Sequence, residues 1–248
     1  MKKIYVVGLG SGDPLNRTLE CNRVLEACDV IAGYTVYVDQ VKNLYPEKEY
    51  LVTGMMKETE RCRMAIETAL EGKTVAMVCS GDAGVYGMAG LIYELSEEYP
   101  PLEIEMVSGV TAACTGAALL GAPLVHDFAV ISLSDLLTPM EKIEKRLHAA
   151  AEADFAICIY NPSSKKRHDY LQRACDIILQ HRSPDTVCGI ARQIGRAEES
   201  GEVLTLAELR DRQTDMFTTV FIGNSQTRRI GDKMVTPRGY RGVGTRED

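Results

Sequence analysis

The sequence predicts an α/β fold with two α/β domains and mostly parallel sheets. Short apolar runs of strand length alternate with amphipathic runs of helical length, and several of the apolar runs end in glycine-rich loops that open a helix. This alternation is typical of parallel sheets. Because Gly121-Ala122-Pro123 interrupts the pattern, we expect domains at residues 1–121 and 122–240, and a disordered tail at 241–248.

Composition narrows the function classes. Of the 248 residues, 45% are hydrophobic and 25% are charged, which is typical of a soluble globular protein. No apolar run approaches the roughly 18 residues that a membrane span requires, and the N-terminus reads as a first strand and not a signal peptide. The net charge of −7 argues against nonspecific nucleic-acid binding. The eight cysteines are scattered, so we expect a cytoplasmic protein with no metal site.

In the first half, strand and helix patterns alternate in order, with Gly72 and Pro100-Pro101 placed where helices end. The strands are expected at residues 3–7, 29–33, 74–78 and 102–107. The helices are expected from Thr18 onward, at 36–44, at 58–71, from 91 to 98, and in a segment that ends at Leu120. The first of them should place Leu19, Val24 and Leu25 on its apolar face. The helix at 58–71 should bury Met64, Ala65, Ala69 and Leu70.

The second half repeats the alternation. Strands are expected at residues 128–133, 155–160, 186–192 and 218–222, and helices at 139–152 and 168–180. Residues 203–209 fit a hairpin or a short helix, and the chain from Arg228 onward reads as a basic and then polar tail.

The central loop, Cys79-Ser80-Gly81-Asp82-Ala83-Gly84-Val85-Tyr86-Gly87-Met88-Ala89-Gly90, follows a buried strand and opens a helix. Ligands of open α/β sheets bind outside the carboxyl ends of the strands, in loops of this kind. Glycine permits positive φ and close approach of a ligand to the main chain. The pattern favours a ligand site, and the alternative is a tight strand-to-helix connection.

The first loop, Gly8-Leu9-Gly10-Ser11-Gly12-Asp13-Pro14, invites a dinucleotide interpretation. That fingerprint requires G-x-G-x-x-G, and Asp13 stands where the last glycine belongs. The spacing therefore disfavours a nicotinamide or flavin site.

Together these loops resemble those of the tetrapyrrole methyltransferases. The resemblance is carried by Val7-Gly8-Leu9-Gly10-Ser11-Gly12 with Thr18, by Ser80 to Gly87, and by Ser108-Gly109-Val110-Thr111-Ala112-Ala113. Within the class, the chain is similar to the precorrin-3B or cobalt-precorrin-3 C17-methyltransferases through Gly33-Tyr34-Thr35-Val36-Tyr37, residues 84–90, residues 126–139 and Tyr160-Asn161-Pro162-Ser163-Ser164. Ser11 and Ala83 depart from it, since proline is usual at both positions.

The resemblance implies S-adenosylmethionine as methyl donor and S-adenosylhomocysteine as product. The residues implied to bind the donor are Ser80, Gly81, Asp82, Val85, Thr111, Ala112, Tyr160, Asn161, Arg192 and Gly195. For the glycines the alternative is turn geometry alone, and for Thr111 it is a helix N-cap.

The implied substrate is an anionic tetrapyrrole. Gly8, Gly10, Gly12 and Asp13 are implied to line its trough, and Lys165 and Lys166 are candidate partners for its carboxylates. The alternative is that these lysines simply lie on a solvent-exposed face and do not bind the substrate.

Ring contraction, which the resemblance associates with C17 methylation, moves protons and would use an acid or base. The candidates are Asp82, Tyr86, Ser132 and Asp135, with His126 and Asp127 behind them. Asp135 and Ser134 have the alternative of capping the next helix, and His126 that of a surface linker residue.

The resemblance therefore implies methylation of carbon 17 with ring contraction in cobalamin biosynthesis, by a homodimer with its active site in the cleft between the domains. Two alternatives stay open: a methyltransferase acting at another tetrapyrrole carbon, and a noncatalytic tetrapyrrole carrier. The sequence does not separate a cobalt-bearing substrate from a metal-free one.

Overall fold

A computed structural model describes residues 2–164 and 168–240. The chain forms two compact units, the first ending at Ala112 and the second beginning at Ala113. This division lies at the start of helix α5 (Ala112–Leu120), whereas the sequence places the domain boundary at the end of that helix. Within the second unit, Gly116 of α5 packs against the ring of Phe221, and Leu120 packs against Gly189. These contacts attach α5 to the sheet of the second unit.

The first unit is built on a five-stranded sheet in the order β3-β2-β4-β1-β5, in which every pairing is parallel. Its strands are β1 (Lys3–Gly8), β2 (Val30–Tyr34), β3 (Glu49–Thr53), β4 (Thr74–Cys79) and β5 (Glu103–Val107). The three central strands are almost entirely buried, as expected for a parallel sheet covered on both faces.

Helices cover the two faces of this sheet separately. On one face, Val7, Ile31 and Val78 pack with α1 (Leu19–Ala27) and α2 (Thr35–Val38). On the other face, Val6 and Met77 pack with α3 (Glu58–Leu70) and α4 (Ala89–Ser96). Residues of alternate parity along each strand thus enter two different cores, which explains why these strands are apolar without interruption.

The second unit contains a five-stranded sheet in the order β10-β9-β11-β8-β7. Only β7 and β8 are parallel neighbours in it, because β11 enters between β8 and β9 in the opposite direction and β10 returns beside β9. Across all sheets of the described residues parallel pairings still outnumber antiparallel ones, so the expected α/β fold with mostly parallel pairing is confirmed. The strands are β7 (Phe128–Ser132), β8 (Ala156–Tyr160), β9 (Val187–Arg192), β10 (Ser200–Thr205) and β11 (Thr218–Ile222).

Three helices pack against the core of this sheet: α6 (Met140–Glu152), α7 (Tyr170–Ile178) and α8 (Leu206–Arg210). The segment expected to be a hairpin or a short helix contains both the end of β10 and α8. A capping box formed by Thr205 and Glu208 starts α8.

A three-stranded sheet completes the second unit. β12 (Arg228–Ile230) pairs with β13 (Lys233–Val235), which pairs in parallel with β6 (Gly121–Ala122). The sequence placed residues up to 240 in the second domain but predicted no strand here, since it interpreted the stretch as a linker and a basic tail. Met234 and Thr236 are fully buried, and the Thr236 hydroxyl donates to the carbonyl of Pro123 at 2.7 Å. The expected tail at 241–248 lies outside the described residues.

Three local expectations differ from the structure. Edge strand β3 was not predicted, because its residues are half-buried or exposed and its apolar run, Tyr50-Leu51-Val52, is only three residues long. Leu19 was expected on the buried face of α1 but is 89% exposed. In α3, Met64 and Leu70 are only half-buried, while Cys62, Ile66 and Arg61 are buried.

The topology brings particular loops together. In the first sheet, parallel strands β4, β1 and β5 are adjacent, so the loops that follow them start side by side at the carboxyl edge. In the second sheet β8 and β9 are both antiparallel to β11, and β7 is parallel to β8. The carboxyl ends of β7, β8 and β9 therefore share one edge as well.

Candidate active site

The three glycine loops of the first unit meet backbone to backbone. A Cβ added to Gly8 would lie 2.6 Å from the carbonyl oxygen of Gly81 and 2.7 Å from the amide nitrogen of Gly109. A Cβ on Gly109 would overlap that same Gly81 oxygen. We call Gly8, Gly81 and Gly109 the glycine cluster. Only glycine allows three main chains to come this close.

Hydrogen bonds fix the first loop against the central one. The Gly10 amide donates to the Gly81 carbonyl at 3.0 Å, and the Gly81 amide donates back to the Gly10 carbonyl at 2.7 Å. Gly10 and Gly81 both have positive φ, at 75° and 63°. The two loops thus continue the pairing of β1 with β4 beyond the ends of the strands, by an antiparallel bridge.

Asp82 holds the central loop to the loop after β5. Its Oδ1 accepts a hydrogen bond from the Gly84 amide at 2.8 Å, and its Oδ2 accepts one from the Gly109 amide at 3.0 Å. Both carboxylate oxygens therefore bind main-chain amides of the first unit. This geometry assigns Asp82 a positioning role in the loops.

Beyond Asp82, the central loop exposes main chain. Gly84 and Tyr86 are exposed and Val85 is half-buried, while Ser80 is exposed at the start of the loop. Tyr86 has a left-handed φ of 56°, which is uncommon for a residue with a side chain. The Ala89 amide donates to the Ala83 carbonyl and closes the loop where α4 begins.

Cys79, the last residue of β4, is an unsuitable acid–base group for this site. Burial raises the pKa of its thiol to about 11. A thiol in that condition is neutral at physiological pH and a poor nucleophile.

The other predicted residues of the first unit lie in or next to the loops that contain the glycine cluster. The Asp13 carboxylate accepts from the Leu15 amide at 2.8 Å and caps a short 3-10 turn, Pro14–Asn16. Thr111 lies against Gly81, since a Cβ on Gly81 would be 3.5 Å from the Thr111 Cα. Gly12 follows in the first loop with a positive φ of 115°. Thr18 is the expected N-cap of α1, accepting from the Cys21 amide at 3.1 Å.

In the second unit, Tyr160 binds the start of α5. Its hydroxyl accepts a hydrogen bond from the Ala113 amide at 2.7 Å. Amides in the first turn of a helix have no partner within the helix, so this hydroxyl supplies one. Ala112, also predicted to bind the donor, is the first residue of that helix.

Asn161 connects the ends of two neighbouring strands. It has a left-handed φ of 51°, and its Nδ2 donates to the Ser132 hydroxyl at 2.9 Å. The Ser134 amide also donates to the Ser132 oxygen, at 3.2 Å. Ser132 and Asn161, predicted for different roles, thus belong to one hydrogen-bonded group.

Asp135 does not cap α6, which corrects the alternative considered for it. The N-cap of α6 is Pro139, with no side-chain hydrogen bond, whereas Asp135 Oδ2 accepts from the Tyr170 hydroxyl at 2.8 Å. His126 is partly exposed, and its Nδ1 accepts from the amide of the adjacent Asp127 at 2.9 Å. This arrangement is local to the connection before β7.

The loop after β9 is folded by left-handed residues. Gln193 and Gly195 have φ values of 50° and 72°, and the Gly195 amide donates to Glu199 Oε2 at 2.7 Å. Arg192 Nη2 donates to the Gln213 carbonyl at 3.1 Å. The guanidinium of Arg196 lies over the ring of Phe217 at 4.5 Å.

The resemblance implied donor contacts in the backbone near Arg192 to Gly195, but the sequence predicted neither the positive φ of Gln193 nor the hydrogen bond of the Ala113 amide. Glutamine is not a residue type that predicts a positive φ. A main-chain amide is common to almost all residues, so its role cannot be predicted from residue type. Lys165 and Lys166 lie outside the described residues.

Within residues 2–164 and 168–240, no group of three or more His, Cys, Asp or Glu side chains could hold a metal ion. Each helix of the described chain is too short or too polar to cross a bilayer.

The fold and the loops define an α/β enzyme whose candidate ligand contacts are supplied largely by main chain, without a dinucleotide fingerprint. A family model described as Tetrapyrrole (Corrin/Porphyrin) Methylases matches residues 3–210, and the chain belongs to this family. It is accordingly a methyltransferase.

Two curated relatives cover almost all of this chain. A "Probable cobalt-factor III C(17)-methyltransferase" of Salmonella typhimurium is 45% identical over 238 residues, covering 96% of this chain and 99% of the relative. A "Cobalt-factor III methyltransferase" of Priestia megaterium is 42% identical over 243 residues, covering 96% of this chain but only 45% of the relative. The longer relative therefore has sequence beyond the region that matches.

A solved structure has the same fold. The methyltransferase CobJ superimposes with a TM-score of 0.88 at 38% identity, covering 94% of this chain and 99% of that one. The predicted family and its two-unit α/β architecture are confirmed.

Proposed function

We propose that this chain methylates carbon 17 of a cobalamin-pathway tetrapyrrole, with contraction of the macrocycle and with S-adenosylmethionine as donor. The observation that supports it most is the near full-length similarity to a relative named for C17 methylation of cobalt-factor III. The glycine cluster adds a structural reason, because it places three main-chain loops at one sheet edge, where α/β enzymes bind ligands.

The first unit suits a zwitterionic donor. In the central loop Ser80, Gly84 and Tyr86 are exposed and Val85 is half-buried, and Thr111 lies against Gly81 of the same loop. We propose these residues, with Gly81, as donor contacts of this unit. Asp82 supports these contacts indirectly, because its two hydrogen bonds fix the loops in which the contact residues lie.

In the second unit we propose Tyr160, Asn161, Arg192 and Gly195 as donor contacts, with Ala112 at the helix that Tyr160 binds. The support is their common placement, because the loops after β8 and β9 begin at one edge of the sheet. When bound, S-adenosylmethionine supplies an electrophilic methyl group. The protein's part is to hold the reacting groups in a fixed orientation, which itself lowers the barrier.

We propose that Gly8, Gly10, Gly12 and Asp13 contact the macrocycle. For proton transfer in ring contraction the candidates are Tyr86, Ser132 and Asp135, and Asp82 is assigned the positioning role because both of its carboxylate oxygens hold main-chain loops. Variants Tyr86→Phe, Ser132→Ala and Asp135→Asn separate them. The loss of an acid or base should leave a methylated macrocycle that is not contracted, which mass spectrometry and absorbance of the product distinguish.

The names of the two relatives favour a cobalt-bearing substrate, with cobalt as part of the substrate and not a resident metal. The deciding experiment supplies donor labelled with ¹³C at its methyl group together with either cobalt-factor III or metal-free precorrin-3B. We expect one labelled methyl at carbon 17 of the cobalt-bearing product. Label at another carbon would favour the regiochemical alternative, and binding without transfer would favour a carrier.

We also propose a cytoplasmic homodimer. Sedimentation equilibrium of the purified chain tests the assembly, with twice the 27.3 kDa chain mass as the expected result.

A further inference from the structure

Arg61 on α3 is the only charged side chain among the buried residues that the structure describes. Its side chain is 4% exposed. A guanidinium remains protonated in proteins and has five N–H donors to satisfy. Burial of such a charge is unfavourable unless an opposite charge and hydrogen bonds compensate for it.

Few of those donors are satisfied by this unit. Arg61 Nη1 donates to the Thr53 hydroxyl at 3.0 Å, and its Cζ lies 5.9 Å from the centroid of the Tyr34 ring. The nearest carboxylate of the described chain, Glu58, is 3.8 Å from Nη2, which is beyond hydrogen-bonding distance, and its side chain is 45% exposed. The fold therefore gives this buried cation one loose ion pair, to Glu58, and no hydrogen-bonded anion among the described residues.

Other arginines contrast with Arg61. Arg63, two residues later on α3, lies 2.8 Å from Glu98 and is 38% exposed. Arg173 and Arg212 each lie 2.6 Å from a glutamate at the surface. In these examples the carboxylate lies close to an arginine at the surface, where solvent already stabilises the charge. The buried Arg61 has no carboxylate at such a short distance.

The guanidinium lies at the carboxyl edge of the first sheet. Thr53 is the last residue of β3 and Tyr34 is the last residue of β2. In the strand order β3-β2-β4, Tyr34 is one strand and Thr53 two strands from β4, so this position is about 5 to 10 Å along the sheet edge from the start of the central loop. Arg61 thus faces the same edge as the glycine cluster.

The connection between Thr53 and α3 exposes two apolar side chains. Met55 and Met56 follow Thr53 and are 55% and 77% exposed, and Met56 has a positive φ of 62°. Thioether side chains adapt to flat apolar ligands. A buried cation in the first turns of α3, with exposed methionines in the connection that leads into this helix, suits a ligand that combines an apolar face with a carboxylate arm.

We propose that Arg61 binds an acetate or propionate carboxylate of the tetrapyrrole, with Thr53 beside it and Met55 and Met56 against the macrocycle. This proposal rests on the proposed function for its ligand. A carboxylate matches the guanidinium in a bidentate geometry, which a lysine would not reproduce. Glu58 is the competing anion, while Glu60 is already paired with Lys57 at 2.5 Å.

The test uses uroporphyrin III, a stable tetrapyrrole with acetate and propionate arms, and its uncharged octamethyl ester. Binding of both is titrated by fluorescence for the wild type, Arg61→Met and the matched control Arg63→Met, with S-adenosylhomocysteine titrated in parallel. We expect Arg61→Met to weaken binding of the acid at least tenfold and to leave the ester and S-adenosylhomocysteine unchanged. Arg63→Met should alter none of the three. Wild-type affinity of a folded Arg61→Met for the acid would overturn the proposal.

Glu58→Gln gives a second test that keeps the Arg61 side chain and removes only its ion-pair partner. Removal of the competing carboxylate should tighten binding of the acid about threefold and leave binding of the ester unchanged. If Arg61→Met does not fold, this second test decides whether the proposal holds. An unchanged affinity for the acid would then refute the proposal. Wild-type protein that binds S-adenosylhomocysteine but neither porphyrin would overturn the tetrapyrrole substrate as well, whereas porphyrin binding insensitive to Arg61 would remove this subsite alone.

Discussion

Asp82 Oδ2 accepts a hydrogen bond from the Gly109 amide of a neighbouring loop at 3.0 Å, while Asp82 Oδ1 accepts one from the Gly84 amide of its own loop at 2.8 Å. One side chain thus sets the path of the main chain after β4 and after β5. Since the proposed donor contacts are largely main-chain groups, the accuracy of that path determines how well they are oriented.

Asp82→Ala should weaken S-adenosylhomocysteine binding about tenfold, or about 1.4 kcal/mol, because both loops lose an acceptor. Asp82→Asn keeps a single carbonyl acceptor and should have an intermediate effect. Isothermal titration calorimetry measures both.

Asp29→Ala is the matched control for this prediction. Asp29 Oδ2 accepts the Thr74 amide at 2.7 Å, at the amino end of β4 and therefore at the opposite edge of the sheet. Its removal should affect unfolding and not donor binding. Equal losses of affinity in the two variants would contradict the local role of Asp82.

Tyr160→Phe should reduce both stability and donor affinity, because the Ala113 amide at the start of α5 loses its hydroxyl acceptor. An unsatisfied main-chain group of this kind costs about 1–3 kcal/mol. Urea unfolding and calorimetry measure the two effects. Tyr170→Phe is the control, since its hydroxyl donates to a side chain, Asp135, and not to a helix terminus. A Tyr160→Phe variant as stable as the wild type would refute the capping role.

The loops of the site could be predicted because each begins where a buried apolar run meets glycine, as at Val7-Gly8 and Val107-Ser108-Gly109. Their mutual contacts could not, because these depend on the strand order that brings β4, β1 and β5 together. The same limit applies to Asp82, whose two acceptor bonds lie 2 and 27 residues away along the chain.

Residues that break the usual patterns were missed for a physical reason. Periodicity assigns charged residues to the solvent face of a helix, so Arg61 could not be recognised as buried. β3 has an apolar run of only three residues, Tyr50-Leu51-Val52, as suits a partly exposed edge strand, and β6 is only two residues long.

The buried thiols predict a loss of stability at alkaline pH. Burial raises the pKa of Cys21, Cys28 and Cys79 from 9.0 to about 11 in the folded protein. Between pH 9 and 11 the unfolded chain has lost these protons while the native chain keeps them, so the free energy of unfolding falls as pH rises. Urea unfolding under reducing conditions at pH 7.5, 9 and 10 should show a smaller fall in Cys79→Ala than in the wild type. Identical slopes would contradict the assignment to Cys79, and Cys114→Ser, at an exposed position, controls for the loss of one thiol.

Gly109→Ala and Gly90→Ala should have opposite effects, although each adds one methyl group. At Gly109 the methyl would overlap the Gly81 carbonyl oxygen and lie 2.7 Å from the carbonyl of Gly8, so the glycine cluster would have to separate. Overpacking of this kind costs about 1–3 kcal/mol or more, and we expect donor binding to fall with stability. Gly90 lies in α4 with nothing within 4 Å of an added Cβ, so alanine there should stabilise the protein by about 0.5–1 kcal/mol through helix propensity. Urea unfolding of both variants separates these outcomes. A Gly109→Ala protein that unfolds at the wild-type midpoint and keeps its affinity for S-adenosylhomocysteine would show that the close approach of the three loops is not required for the site.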